Sequence, residues 1–550
     1  MWVLLVCLAA LGWGGLLARR LPGRSEADRL GLGFGLGLLL LSLGASACLM
    51  AGWMRMGFPA LAVLGALLAL RPPPALSMPR GPDLACLAWL LLALLVALAP
   101  VTDVDSTVYH FSLPRDYVAA GRLLWRPDIP NAGLPEGGEA LWTLAFWGGG
   151  ERAAALLGVV VMAALAGTAG WAAGAVWGLR ETGWVRLAAF ASGSFVTGAG
   201  SGAVEPLLGL ALLLTISLGT LALKGGGSLL WGSAALTAGA ALGIKPTVLC
   251  FLPPFAVLGL LAAPDRGARI RLLGAGLAAL LLGIPWYVRT AALTGNPLYP
   301  HACPFLPSLP REIAMWTSPL LARDPGRWGH EAGRALLWEA GLFLAVFGTL
   351  AAADRRARAW GAALLAGLAI LLLEMRFEAG RYASALLPTA AVAWSAVAGR
   401  RSRILGALAC AGLALLGGRA APRLETLGDP GRREAFLEAR VGVAGAARFC
   451  RGLETGPGTL ILAGEQVLPF PPGTLAFADY AQNVIHPDAL KDPETLRAAL
   501  KAKGIRFLAV DRTRHGRGLH VAEGLLPKGN PATGFRLIYD DPNASVYALD

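Results

Sequence analysis

Charge is scarce in this chain. Only 15% of its 550 residues are Asp, Glu, Lys or Arg, against 55% hydrophobic, too few to clothe a fully solvated surface. No Gly-rich stretch runs into a Gly-Lys-Ser/Thr sequence, so the 72 glycines form no nucleotide phosphate loop. Within apolar segments such small residues instead allow close helix packing in lipid. The seven cysteines include no Cys-x-x-Cys pair and no Cys/His metal spacing. Cys7, Cys48, Cys86, Cys250 and Cys410 lie in apolar segments; Cys303 and Cys450 fall outside them and can form one disulfide if both face an oxidising compartment. No basic residue precedes the first apolar segment, whereas Arg19, Arg20, Arg24 and Arg29 follow it. That order argues against a cleaved signal peptide and sets the first loop in the cytoplasm. The net charge of +13 is spread over short loops, so nucleic acid is not an expected partner.

What the chain does have is apolar runs, repeated almost to residue 420. They predict a polytopic α-helical membrane protein with about fourteen transmembrane helices. The segments run near 2–18, 31–51, 57–71, 83–100, 155–178, 186–200, 206–223, 228–243, 246–263, 270–288, 335–353, 359–374, 382–398 and 404–418. Every predicted cytoplasmic turn is basic: Arg71 and Arg80, Arg180 and Arg186, Lys224, Arg266 to Arg271, Arg355 to Arg358, and Arg400 to Arg403. The alternation sends three regions to the other face: loop 101–150, Pro-rich loop 290–334, and everything after Gly418. Three parts are therefore expected, an N-terminal group of helices (1–82), a membrane core (83–418) and an extracytoplasmic domain (430–550).

That last region trades apolar runs for charge and Pro. Strands are expected at Thr459–Ala463 and Ile505–Val510, a helix at Pro493–Lys503, and a hairpin from Phe535–Tyr539 and Ser545–Leu549, giving a small α/β soluble domain. Asp511, His515 and His520 read there as solvated loop residues.

Two carboxylates, Asp103 and Asp105, emerge directly from the apolar segment 83–100. Acids at the lip of a bilayer are costly to desolvate and commonly mark substrate paths or catalytic sites. Ser106–Leu124 reads as an amphipathic helix lying on the membrane and interrupted by Pro114, and Gly137–Trp147 as a second interfacial segment. Asp105 also suits the N-cap of a helix starting at Ser106, a role worth about 1 kcal/mol. Tyr109, His110, Trp142 and Trp286 suit interfacial anchors. Lys245 lies between two apolar helices, where a cation costs about 2.5–3.5 kcal/mol unless it snorkels to the surface; snorkelling and phosphate binding are its two readings. Arg376 and Arg381 can pair with Glu374 and Glu378 as a surface network.

The stretch Asp103-Val-Asp105-Ser-Thr-Val-Tyr109-His110, with Leu113-Pro114-Arg115 and Ala120-Gly121-Arg122, resembles the first periplasmic loop of bacterial glycosyltransferase C (GT-C) superfamily proteins, relatives of the protein mannosyltransferase and aminoarabinose transferase families. Leu134 to Trp142, including Glu139, resembles the later part of that loop. Gly243-Ile-Lys245-Pro-Thr247, Pro285-Trp-Tyr-Val-Arg289 with Thr294 to Tyr299, and Arg381-Tyr382 through Pro388 resemble further motifs, all within residues 83–400. The chain departs from the simplest pattern, in which the acidic loop follows the first helix, in carrying three extra helices before that loop and Asp-Val-Asp in place of Asp-Glu.

The resemblance implies an inverting enzyme of a bacterial inner membrane that moves a sugar from a polyprenyl-phosphate carrier to a glycan, lipid or protein acceptor. An attacking hydroxyl needs a general base, and Asp105 is the chosen candidate, with Asp103 and Glu139 positioning the acceptor or sharing the role. The departing lipid phosphate needs fixed cations, for which Lys245, Arg289 and Arg381 are the candidates, with Tyr109 and His110 beside them. Asp103 and Asp105 can also contribute to a divalent metal site, though two carboxylates alone make none. A transporter or flippase of a lipid-linked glycan and a noncatalytic membrane scaffold are the rival readings; the first calls for internal repeats and midplane charges.

Overall fold

The computed structural model describes residues 1–23, 25–70, 81–299, 325–374, 379–398, 403–453, 455–464, 466–477, 492–513, 526 and 534–549. Helices α1 (Trp2–Ala18), α2 (Glu26–Met50), α3 (Met54–Leu68) and α4 (Gly81–Leu98) lead into a π-helical turn (Ser106–His110) and α5 (Ser112–Ala120). Then come α6 (Gly137–Trp177), α7 (Gly183–Ala188), α8 (Gly193–Gly198), α9 (Glu205–Leu223), α10 (Ser228–Ile244), α11 (Val248–Ala262) and α12 (Arg266–Thr294). Helices Pro325–Trp338, Ala340–Leu350, Arg355–Glu374, Ala379–Ala383, Leu387–Ala398 and Arg403–Leu424 complete the apolar part.

The chain is a multi-pass membrane protein. Among the described residues seven helices are long and apolar enough to cross a bilayer: α2, α4, α6, α9, α12, and those at Arg355–Leu373 and Arg403–Leu424. Five more are apolar but shorter: α1, α3, α10, α11 and Ala340–Leu350. Among the described residues these twelve helices leave the expected total of about fourteen spans unconfirmed. Segment 186–200 breaks into α7 and α8, and 382–398 begins with a short helix and a 3-10 turn (Ser384–Leu386) before Leu387–Ala398. Conversely, the expected interfacial segment 137–147 and span 155–178 are one helix, α6, kinked at Gly150, whose φ of 64° suits glycine.

The N-terminal helices are bound into the bundle by small residues. A Cβ on Gly14 would overlap the Gly33 carbonyl oxygen, so α1 and α2 touch backbone to backbone. Ser42 Oγ donates to the Gly137 carbonyl at 2.7 Å, tying α2 to the head of α6. Cys450 is buried; its candidate partner Cys303 lies outside the described residues.

The C-terminal region forms a five-stranded sheet: β1 (Leu460–Ala463), β2 (Leu475–Phe477), β3 (Phe507–Asp511), β4 (Phe535–Asp540) and β5 (Ala544–Leu549), in spatial order β2-β1-β3-β5-β4. β1 runs parallel to β2 and β3; β5 is antiparallel to β3 and β4. Helix Pro493–Ala502 starts at Asp492, whose side chain accepts the Thr495 N–H, and buries Leu496 and Leu500. The hairpin turns on Asp541, which accepts the Asn543 and Ala544 N–H groups. Asp511 is no solvated loop residue; it ends β3, is 1% exposed and accepts the Thr513 N–H. His515 and His520 lie outside the described residues.

The sheet is clamped to the first loop. Arg115 donates to the carbonyls of Val467, Leu468 and Phe470, and Leu468 N–H donates to the Thr107 carbonyl. Buried Arg126 pairs with Asp116 and Asp128 and donates to the Thr474 carbonyl, while Asp128 accepts the Ala476 N–H of β2. Charged groups so deep are held because each is paired and hydrogen-bonded.

Candidate active site

The acidic loop follows α4 and at once turns inward. Residues Ser106 to Pro114 are all buried, which corrects the expectation of an amphipathic helix on the membrane surface. Five-residue turns of the π type open a helix enough to redirect side chains. Tyr109 and His110 are accordingly core residues, 8% and 1% exposed, and not interfacial anchors. The capping assignment also moves: Asp103 Oδ1 accepts the Ser106 N–H at 2.9 Å, and Asp105 makes no cap bond.

Asp105 faces a cation instead. Its carboxylate, one-third exposed, pairs with the Arg381 guanidinium. Arg381 Nε in turn lies 3.1 Å from Glu205 Oε1, and the same oxygen takes the Lys245 ammonium at 2.7 Å. Two acids and two bases thus form one chain, Asp105–Arg381–Glu205–Lys245. Both cations lie over the Tyr382 ring, Lys245 Nζ at 4.2 Å and Arg381 at 5.7 Å from its centroid.

Local sequence explains each member. Glu205 is the first residue of α9, where the positive end of the helix dipole favours an acid. Lys245 precedes Pro246, which bars the helical region; its φ/ψ of −159°/138° ends α10 and turns the side chain toward Glu205. Arg381 stands on the short helix Ala379–Ala383. Glu374 has no described side chain and Glu378 lies outside the described residues, so the surface network proposed for them has no described counterpart. Lys245 does not snorkel; it is 8% exposed and salt-bridged.

Electrostatics separate the two loop acids. Burial raises the Asp103 carboxyl above the ordinary carboxylate value, with only partial relief from the Ser106 N–H. Burial pushes Asp105 the same way, but Arg381 and then His110 outweigh it and hold Asp105 below that value. Asp105 is therefore an anion stabilised by neighbours.

A second cluster lies behind the loop. His110 Nδ1 and Glu139 Oε1 are 2.6 Å apart, both groups buried. Glu139 is thus partnered to His110. Glu136 accepts from the Tyr117 hydroxyl at 2.7 Å and meets Arg289 at 3.4 Å. Burial pushes the Glu136 carboxyl up to about 7 despite Arg289. Arg289 also donates to the carbonyls of Ala132 and Leu124, so it braces the first loop. Glycine at 202 permits this packing, since a Cβ there would fall 2.6 Å from the His110 Cβ. Among the described residues no group of three or more His, Cys, Asp and Glu side chains could hold a metal ion.

Sequence reasoning missed Glu205, Glu136 and the Arg115–Arg126 clamp. Glu205 carried a readable signal, an acid at the mouth of an apolar run like Asp103 and Asp105 themselves. The arrangement offers an ionised carboxylate beside two fixed cations at the opening of a buried polar chain.

Comparison with known proteins shows the fold. The chain is similar to the crystal structure of ArnT from Cupriavidus metallidurans in the apo state, with a TM-score of 0.55, 16% identity, and coverage of 84% of this chain and 97% of that one. It is similar also to ArnT from the same organism bound to undecaprenyl phosphate, with a TM-score of 0.53, 15% identity and the same coverage. No family model matches the sequence, and no curated protein matches it.

Proposed function

We propose that this chain is a GT-C-type membrane glycosyltransferase that transfers a sugar from a polyprenyl-phosphate donor to an acceptor hydroxyl at the extracytoplasmic face of a bacterial inner membrane. The observation that carries the reading is the Asp105–Arg381–Glu205–Lys245 chain, with its exposed carboxylate at one end and two cations behind it. The fold shared with ArnT, one form of which is bound to undecaprenyl phosphate, supports a lipid phosphate as the donor's leaving group.

In this mechanism the acceptor oxygen attacks the anomeric carbon while Asp105 takes its proton. The bond from that carbon to the phosphate oxygen breaks with its electron pair, and Arg381 and Lys245 stabilise the charge. A single base acting opposite the leaving group gives inversion at the anomeric centre. Arg381 links donor and base. An arriving phosphate competes with Asp105 for the guanidinium, so donor binding frees the carboxylate for the hydroxyl. Glu205 holds both cations in place, and Glu139 acts through His110.

Asp105→Asn in reconstituted protein tests the reading. Sugar transfer from a labelled polyprenyl-phosphate donor is expected to fall by about 100-fold or more, with undecaprenyl phosphate bound at least as tightly as by the wild type. Unchanged transfer would overturn the base assignment. Absence of transfer from a broad donor panel by the wild type would favour the transporter or scaffold.

A further inference from the structure

The helix Arg403–Leu424 carries two arginines near its end, Arg419 and Arg423. At about 1.5 Å per residue Arg423 stands about 30 Å along the helix from Arg403, the thickness of a hydrocarbon core, so with Arg403 among one set of headgroups these arginines reach the other. This is the end of the bundle that holds the acidic loop: Arg423 Nη2 donates to Thr102 Oγ1 at 3.3 Å, and Arg419 donates to the Val196 carbonyl. A third arginine, Arg440, ends the helix Pro430–Arg440. Its guanidinium shares the Phe436 ring with that of Arg423, each 5.3 Å from the centroid.

No acid neutralises the three. Among the described residues no carboxylate pairs with any of them, since Asp429 is held by Arg432, and Glu434 and Glu438 by Arg448. Asp103 lines a void of about 10 Å³ with Arg419 and Arg423 but forms no ion pair with either; its Oδ1 takes the Ser106 N–H. Arg423 is 6% exposed, and its Nε is buried without a hydrogen-bond partner. Snorkelling accounts for Arg440, which is exposed, but it cannot relieve a guanidinium as enclosed as Arg423. Buried charge is stable only where an opposite charge meets it, so the cluster calls for an anion from outside the chain.

The surroundings name that anion. Leu415 and Leu424 on the same helix, and Leu427 just beyond it, are exposed, and such side chains on a membrane helix are matched by acyl chains. At that depth a bilayer supplies lipid phosphates, and basic pockets between membrane helices bind them. A guanidinium meets a phosphate through two parallel hydrogen bonds. Three cations exceed what a zwitterionic headgroup balances, which favours a lipid of net negative charge.

We propose that Arg419, Arg423 and Arg440 bind the phosphate of an anionic membrane phospholipid, with its acyl chains along Leu415, Leu424 and Leu427. Because Arg423 also holds Thr102, the residue before Asp103, the bound lipid steadies the base of the acidic loop. The assignment goes beyond the transferase reading and does not depend on it, since Arg381 and Lys245 pair elsewhere, with Asp105 and Glu205.

Native mass spectrometry of the full chain released from nanodiscs of equal phosphatidylglycerol and phosphatidylcholine provides the test. The wild type is expected to retain one phosphatidylglycerol about tenfold or more over phosphatidylcholine. Arg440→Gln, at an exposed position that folding does not need, should cut that preference about fivefold, as should Arg423→Gln, while Arg423→Lys keeps part of it. Arg269→Gln, at the opposite end of the bundle, should change nothing. Hydrogen exchange adds a second readout: the Ser106 amide, bound to Asp103, should exchange about threefold more slowly in phosphatidylglycerol than in phosphatidylcholine, a difference lost in Arg440→Gln, with α9 amides protected as in the wild type throughout. Equal retention of the two lipids, an unchanged preference in both Gln variants, or an equal loss in Arg269→Gln would overturn the proposal. Displacement of the lipid by undecaprenyl phosphate would assign the cluster to the donor, and displacement by glycerol phosphate to a free phosphate; either result also rejects a phospholipid site. Absence of sugar transfer by the wild type would sink the transferase reading and leave this one standing.

Discussion

Arg126→Met is expected to loosen the C-terminal sheet from the membrane core without unfolding either. The guanidinium grips Asp128 twice, Nε to Oδ1 at 2.8 Å and Nη2 to Oδ2 at 2.5 Å, pairs with Asp116, and donates to the Thr474 carbonyl. The two acids are 1% exposed or less in their side chains. Removing one member of a buried pair costs about 3–5 kcal/mol because the other is left uncompensated. Asp116 keeps Arg115 at 2.8 Å, so Asp128 is the group chiefly stranded, with the Ala476 N–H still bound to it. That places the cost near the lower end, about 3 kcal/mol, or roughly two decades in the docking equilibrium. Amide hydrogen exchange reads it directly: Ala476 and Leu468, whose N–H groups bond to Asp128 and Thr107, should exchange about 100-fold faster, while amides within α9 hold. Asp128→Asn added to Arg126→Met should recover part of the loss, since the stranded charge is gone and the pair is not additive. Wild-type exchange in the single variant, or a double variant as damaged as the sum of the singles, would refute the clamp.

Three further outcomes follow from the site. Glu205→Gln removes the anion shared by Lys245 and Arg381; transfer should drop by about 100-fold while undecaprenyl phosphate affinity does not fall, and equal turnover in steady-state kinetics would dismiss Glu205 as a positioning residue. Gly202→Ala forces a methyl to 2.6 Å from the His110 Cβ and 3.0 Å from the Phe111 ring; thermal melting should register a loss of about 1–3 kcal/mol. Glu136 supplies a pH dependence: its folded value is raised to about 7, so the folded state retains a proton the unfolded chain has released. That stability is full below about pH 4.5 and is lost as pH rises through about 7, at most about 3 kcal/mol; melting of Glu136→Gln across that window should lack the slope.

Much of the fold was legible because lipid imposes a simple rule, long apolar helices with basic turns on one side. The rule weakens where protein takes the place of lipid. Segment 186–200 is buried and breaks between α7 and α8, since residues packed inside a bundle need not span anything. Tyr109, His110 and Trp142 misled for the same reason: aromatic composition cannot tell an interface from a buried wall, and Trp142 donates its indole N–H to the Gly202 carbonyl deep inside. In the C-terminal region alternation and turn chemistry identified four strands, but β2, three residues long and held by Asp128, is stabilised from another part of the chain and has no pattern of its own.

The site follows the same logic at finer scale. Asp105, Lys245 and Arg381 each stood out as a charge beside an apolar run, and the structure joins them. What joins them is Glu205, which lies one residue before the predicted span 206–223 and was not among the candidates. Its role exists only because α9, the Lys245 turn and the Ala379–Ala383 helix converge, three pieces separated by 40 and 136 residues in sequence. Pairing of charges is a property of convergence, so a sequence can nominate the costly residues but not their counterions. The cost itself supplies the missing step: two buried cations in one bundle require an anion, and Glu205, the acid that opens an apolar helix between the Asp105 loop and Lys245, was the one in position to meet both.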